Sequence, residues 1–258
     1  MDIDPKALEE QAYSFLFEEK FEEAFHLFRK AARIYKDQDN HKQAALCFSS
    51  AASCWSKKSG EKIFSKAASA YREAALQALK SKDYEYASLM YKYAAINYER
   101  DGELISFSES FYDSKNCYRK FLTYRIFCPD KINPITKSRE EKGIRGFIRG
   151  VLLLLVLTFS YLIWGYGEKP KRTFFSSIFV IFLSAFIYTR GELLSNGMVV
   201  RPDFIDSLYF SVITFTTVGF GDVLPVGLNK LTVTLEAFCG VFFMPLFVIG
   251  LSRKYLRI

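Results

Sequence analysis

The sequence predicts an all-α protein in two parts: an N-terminal stack of antiparallel helical repeats, followed by a membrane-embedded helical module. Three observations lead there. An aromatic–small–small–aromatic pattern returns about every twenty residues between Phe28 and Tyr118. Apolar runs at Phe147–Trp164, Thr173–Tyr188 and Leu228–Leu251 are near the ~20 residues that carry a helix across a bilayer. Charge is dense before about Lys142 and sparse within the later runs, so a mean hydropathy near zero averages two regions suited to different solvents.

The first part spans 1–127. Phe28, Phe48, Tyr71, Tyr91 and Phe111 each open one copy of the repeat. Three and four residues on come Ala31-Ala32, Ala51-Ala52, Ala74-Ala75 and Ala94-Ala95, decaying to Ser114-Lys115. Seven residues on come Tyr35, Trp55, Ala78, Tyr98 and Tyr118. That spacing puts all four positions on one helix face, so each copy reads as one helix and two copies as an antiparallel pair. The alanines allow close approach and the aromatics fill the gaps. Polar breaks fall at Lys36–Asn40, Lys57–Glu61, Ser81–Asp83 and Asp101–Glu103. From Pro5 to Arg125 the pattern resembles the tetratricopeptide-like (TPR-like) superfamily, and more narrowly the helical repeats of SNAP-type vesicle-fusion adaptors. The resemblance implies either a groove for a peptide or protein ligand or a scaffold that packs only against its own copies.

The net charge of +7 suggests acidic partners, but the late Lys and Arg flank apolar runs as at a cytoplasmic membrane face, and the early ones alternate with Glu and Asp. Nucleic acid is therefore not an expected partner. Cys47, Cys54, Cys117, Cys128 and Cys239 form no C-x-x-C pair and fit reduced thiols in a cytosolic setting. His26 and His41 have no ligand pattern. No nucleophile–base pair, metal set or phosphate loop marks an enzyme. Met1–Glu10 lacks the design of a signal peptide.

Residues 128–146 form a basic linker broken by Pro129 and Pro134, either a strip for anionic headgroups or a solvated tether. Residues 147–170 carry the first apolar run. Arg145 and Arg149 begin it and Lys169, Lys171 and Arg172 follow it, so both ends carry the cytoplasmic signal. Three spans would place a reduced, leaderless repeat domain outside the cell. The favoured reading is a helix in the inner leaflet surface, and a full span is the alternative.

Residues 171–258 form the last module. An outer helix is expected over 173–190 and an exposed turret over Gly191–Pro202. A short helix over 203–216 has Asp203 as N-cap and Asp206 three residues on. Thr217-Val218-Gly219-Phe220-Gly221 comes next, then Asp222, a turn at Pro225 and Gly227, and an inner helix over 228–251. Bilayer-length apolar runs on both sides argue against a soluble strand with a glycine turn.

This T-V-G-F-G stretch resembles the selectivity filter of potassium channels. The resemblance implies that carbonyls at Thr217, Val218, Gly219 and Phe220 replace the water shell of K⁺, with Gly219 and Gly221 permitting the backbone this needs. One chain supplies one strand of the path, and the family likeness implies a homotetramer. Tyr209 and Phe210 fall where relatives carry aromatics that brace the filter. Asp222 reads as a carboxylate ring at the outer mouth or a brace behind the filter. Glu236 reads as a hydrogen-bonded support. Gly240 is implied as a gating hinge with Pro245 as a second weak point, close helix packing being the other reading of both. Two departures stand out: Phe220 replaces the usual Tyr, and Ile213 stands where some relatives keep an acidic residue.

The expected function is passive, K⁺-selective conduction in a multi-pass cell-membrane protein, its repeats and C-terminus cytoplasmic. No cofactor is expected beyond the permeant ion. A non-selective cation channel and a membrane-anchored interaction scaffold are the alternatives.

Overall fold

The computed structural model describes residues 4–57, 64–128, 144–195 and 197–255. They form two compact units, 1–159 and 160–258. Most of the linker expected at 128–146 lies outside the described residues.

The first unit opens with α1 (Pro5–Phe17), α2 (Phe21–Asp37), α3 (His41–Lys57), α4 (Phe64–Lys80), α5 (Tyr84–Asp101) and α6 (Leu104–Phe127). Local chemistry sets several ends. Asp4 caps α1 by accepting from the Lys6 amide, and Pro5 brings a preset φ to the first turn. Asp83 caps α5 by accepting from the Tyr86 amide at 3.0 Å, and Gly102, at φ 78°, ends it in the left-handed region. Each helix packs on the next, as in a solenoid. Each repeat copy is one helix, from α2 to α6. All eight alanines of the paired positions are fully or almost fully buried, and Phe25 meets Trp55 edge-on at 5.3 Å. The decayed copy has a physical reason. Ser88 and Ser114 each donate to the other's carbonyl, at 2.9 and 2.8 Å, joining α5 to α6 where earlier copies use alanine contact. Burial pushes the Cys117 thiol up to about 12 and raises Cys47 too, keeping both protonated.

The second unit follows α7 (Ile144–Ile163), which crosses the unit boundary. It holds a 3₁₀ turn at Gly165–Gly167, α8 (Pro170–Tyr188), β1 (Leu193–Ser195), β2 (Met198–Val200), α9 (Phe204–Phe215), β3 (Val223–Pro225) and α10 (Asn229–Tyr255). Among the described residues, three helices are long and apolar enough to cross a membrane: Arg145–Ile163, Pro170–Tyr188 and Asn229–Arg253. α8 begins earlier than the expected 173 because Pro170 suits a first helical turn, and α10 runs on past the expected 251. The expected turret holds a hairpin. β1 pairs antiparallel with β2 and also with β3, the strand just beyond residue 222, giving the order β2-β1-β3.

Candidate functional site

Residues 217–221 hang from the C-terminal end of α9. Asp203 caps this helix by accepting from the Asp206 amide at 2.8 Å. Past Phe215 the chain folds back on the last turn: the Thr217 amide donates to the Thr214 carbonyl, and the Val218 and Gly219 amides donate to that of Ile213. Thr217, Gly219 and Gly221 have φ of 57°, 50° and 82°, with the residues between them on the negative side. Alternation of hand gathers successive N–H groups to one side. A β-branched residue at positive φ is costly, and Thr217 marks the strand as strained. Among the described residues nothing covers it: Val218 is 54 % exposed and Phe220 70 %.

Around this strand the predicted support residues fall into three groups. Tyr209 donates its hydroxyl to Asp222 at 2.8 Å, tying α9 to the residue after the strand. Phe210 is buried and meets Tyr188 edge-on at 5.0 Å. Glu236, 2 % exposed, accepts from the Tyr188 hydroxyl at 2.6 Å and is hydrogen-bonded to the Ser211 hydroxyl. That hydroxyl also lies 2.8 Å from the Ile181 carbonyl, so Glu236 joins α8, α9 and α10. Tyr188 and Ser211 escape a sequence reading because they lie 48 and 25 residues from Glu236; a hydroxyl inside an apolar helix was the available signal.

Gly240 is buried against the end of α9. A Cβ there would lie 1.9 Å from the Phe215 carbonyl oxygen, so the residue before the strand leaves no room for a side chain. Pro245 lies inside α10, removes one backbone donor and faces outward. At the far end of α10, Arg253 pairs with Glu168 at 3.4 Å, and Gly250 lies against Pro170. Among the described residues, no group of three or more His, Cys, Asp or Glu is placed to hold a metal ion.

Comparison with known proteins supports these two parts separately. The family described as "Soluble NSF attachment protein, SNAP" matches residues 5–121, and the family described as "Ion channel" matches residues 173–256. A potassium channel protein, kcv, of Paramecium bursaria Chlorella virus 1 is 36 % identical over 73 residues, 27 % of this chain and 78 % of that protein. The inward rectifier potassium channel Kirbac3.1 of Paramagnetospirillum magnetotacticum is 43 % identical over 53 residues, 20 % of this chain and 17 % of that protein. No solved structure matches significantly. By its C-terminal third, preceded by a SNAP-like helical repeat, the chain belongs to the potassium channel family.

Proposed function

We propose that the chain is one subunit of a homotetrameric, K⁺-selective channel in which Thr217–Gly221 is the filter. The observation that carries this reading is the alternating backbone at 217, 219 and 221, on an exposed stretch at the end of a short helix. Four such strands around an axis would surround a dehydrated K⁺ with carbonyls from Thr217, Val218, Gly219 and Phe220. The C-terminal end of α9 adds partial negative charge where the ion pauses. Val218 and Phe220 would find their seats on neighbouring copies. Asp222, fixed by Tyr209, would concentrate cations at the outer mouth. Glu236, Tyr209 and Phe210 would support the strand from behind. Transport is passive, with no catalytic step and no resident cofactor.

Gating is assigned to α10. Bending at Gly240 would first part α10 from the Phe215 carbonyl, so a hinge there would be coupled to the filter. The repeat domain would sit in the cytosol with the C-terminus, and bind a peptide or protein or organise the assembly. α7 would lie in the inner interface, as the basic residues at both its ends suggest. Its length and apolar composition favour a second reading, a full span. Modification of Lys142 and Lys169 from one side at a time separates them: the same side supports the interfacial helix, opposite sides the span.

Ion flux into proteoliposomes tests the filter. Uptake of K⁺ far above Na⁺, lost in Gly219→Ala, is the expected result. Equal uptake of both ions would instead favour a non-selective pore, for which the missing hydroxyl at Phe220 is the motive. Flux unchanged by Gly219→Ala would overturn the filter assignment.

A further inference from the structure

The two ends of the filter strand are held by different means. The inner end hangs from α9 through the amides of Thr217, Val218 and Gly219. The outer end passes through Asp222 directly into β3, whose partner is β1, in the register Ser195 to Val223, Leu194 to Leu224 and Leu193 to Pro225. β1 is in turn seated on α9: Leu193 is almost fully buried in a cluster with Tyr188, Phe210 and Ile213. The entry to β1 is held by the Gly191 amide, which donates to the Tyr188 carbonyl, and by a side chain from the start of α10. Asn229, 5 % exposed, donates through Nδ2 to the Glu192 carbonyl at 2.9 Å, while its own amide donates to the Val226 carbonyl at the turn after β3. Gly191 makes room for it, since a Cβ there would lie 2.3 Å from Asn229 Nδ2.

We propose that Asn229, with Gly191 making room for it, is a positioning residue for the filter, acting through β1 and β3, so that the turret hairpin is part of the selectivity machinery. This rests on the filter reading above. Three chain segments meet at this amide: the entry to β1, the turn leaving β3 and the first turn of α10. An isosteric Asp at 229 keeps the shape, removes the donor and sets a carboxylate oxygen against the Glu192 carbonyl. β1 would then loosen, and the outer end of residues 217–221 with it. A K⁺ ion binds only the ordered strand, so raising K⁺ would restore order by mass action. A defect in the lower gate has no such dependence, and a defect in global folding would also show as less assembled protein in detergent.

The test uses the full-length chain in planar bilayers, comparing Asn229→Asp, Asn229→Ala and, as control, Val199→Thr on β2, the strand that does not pair with β3. The expected result at low external K⁺ is a fall of about five- to tenfold in steady current for both Asn229 variants, the scale set by loss of one buried hydrogen bond. A hundredfold rise in K⁺ restores it, and Val199→Thr behaves as wild type. Should the Asn229 variants fail to assemble, Leu194→Cys/Leu224→Cys in the otherwise native chain joins facing residues of β1 and β3. Its oxidation should raise steady current at low K⁺ by more than twofold, an effect reversed by reductant and absent from either single variant. Wild-type current in Asn229→Asp at low K⁺, a loss that K⁺ does not reverse, or no effect of the cross-link overturns the proposal. A wild-type chain that does not select K⁺ would instead overturn the filter reading itself.

Discussion

The two parts of this chain handle apolar surface in opposite ways. In α2–α5 the paired alanines and their aromatic partners are buried within one chain, and neighbouring helices finish one another's cores. In α8–α10 polar links are buried instead, while Phe175, Phe179, Ile205, Leu235, Phe238 and Val248 face outward. The first arrangement is complete in water. The second requires lipid on one side and, on the proposed reading, three further copies on the other. A repeat solenoid supplies its own neighbours, whereas a pore must borrow them.

The widest test of this contrast is to separate the parts. Residues 1–128 alone should be a soluble monomer with a cooperative melt, and residues 160–258 alone should need detergent and run as a multimer by native mass. A soluble, monomeric pore fragment would break the comparison.

Single substitutions sharpen it. Gly240→Ala sets a Cβ against a backbone carbonyl that cannot give way, and overpacking costs about 3 kcal/mol or more at such a place. Conducting protein should fall by over ~100-fold, since 1.4 kcal/mol is tenfold. Ala51→Leu makes the same error in the repeats, at about 1–3 kcal/mol. It should lower the melting temperature of the 1–128 fragment and leave the reversal potential of the full chain unchanged.

Glu236→Ala leaves the Tyr188 hydroxyl without its acceptor and takes a partner from Ser211, at about 1–3 kcal/mol per stranded group. Heat should dissociate the detergent-solubilised assembly at a lower temperature, while the repeat domain of the same full-length chain melts as in wild type.

The last effect is a pH dependence in the repeats, seen only in alkaline solution. Cys117 ionises near 9.0 when unfolded and only at about 12 when folded. Its folded pKa is raised, so the native state favours the neutral thiol. Stability is fully present below about 9 and declines as pH rises from there towards 12. Cys117→Ala should make that decline shallower in thermal melts of the 1–128 fragment, with Cys47 and buried tyrosines such as Tyr91 contributing the rest.

What could be read in the sequence was short-range. The repeat is visible because its four positions recur within one helix turn or two, and the filter motif is five contiguous residues. Pairings made across the chain left little trace. Asn229 looks like an ordinary helix start, yet it holds the Glu192 carbonyl 37 residues away. Three strands of three residues hide in what reads as a loop, because a period of two has no length in which to show itself. Gly240 illustrates a different obstacle. Glycine serves bending and close approach alike, and the close approach shows only in the Phe215 carbonyl beside it.

The most direct test of the account is the reversal potential of purified full-length protein in a planar bilayer with K⁺ on one side and Na⁺ on the other. Conduction through carbonyls at Thr217–Phe220 predicts a reversal close to the K⁺ equilibrium value. A steady current reversing near zero would contradict it.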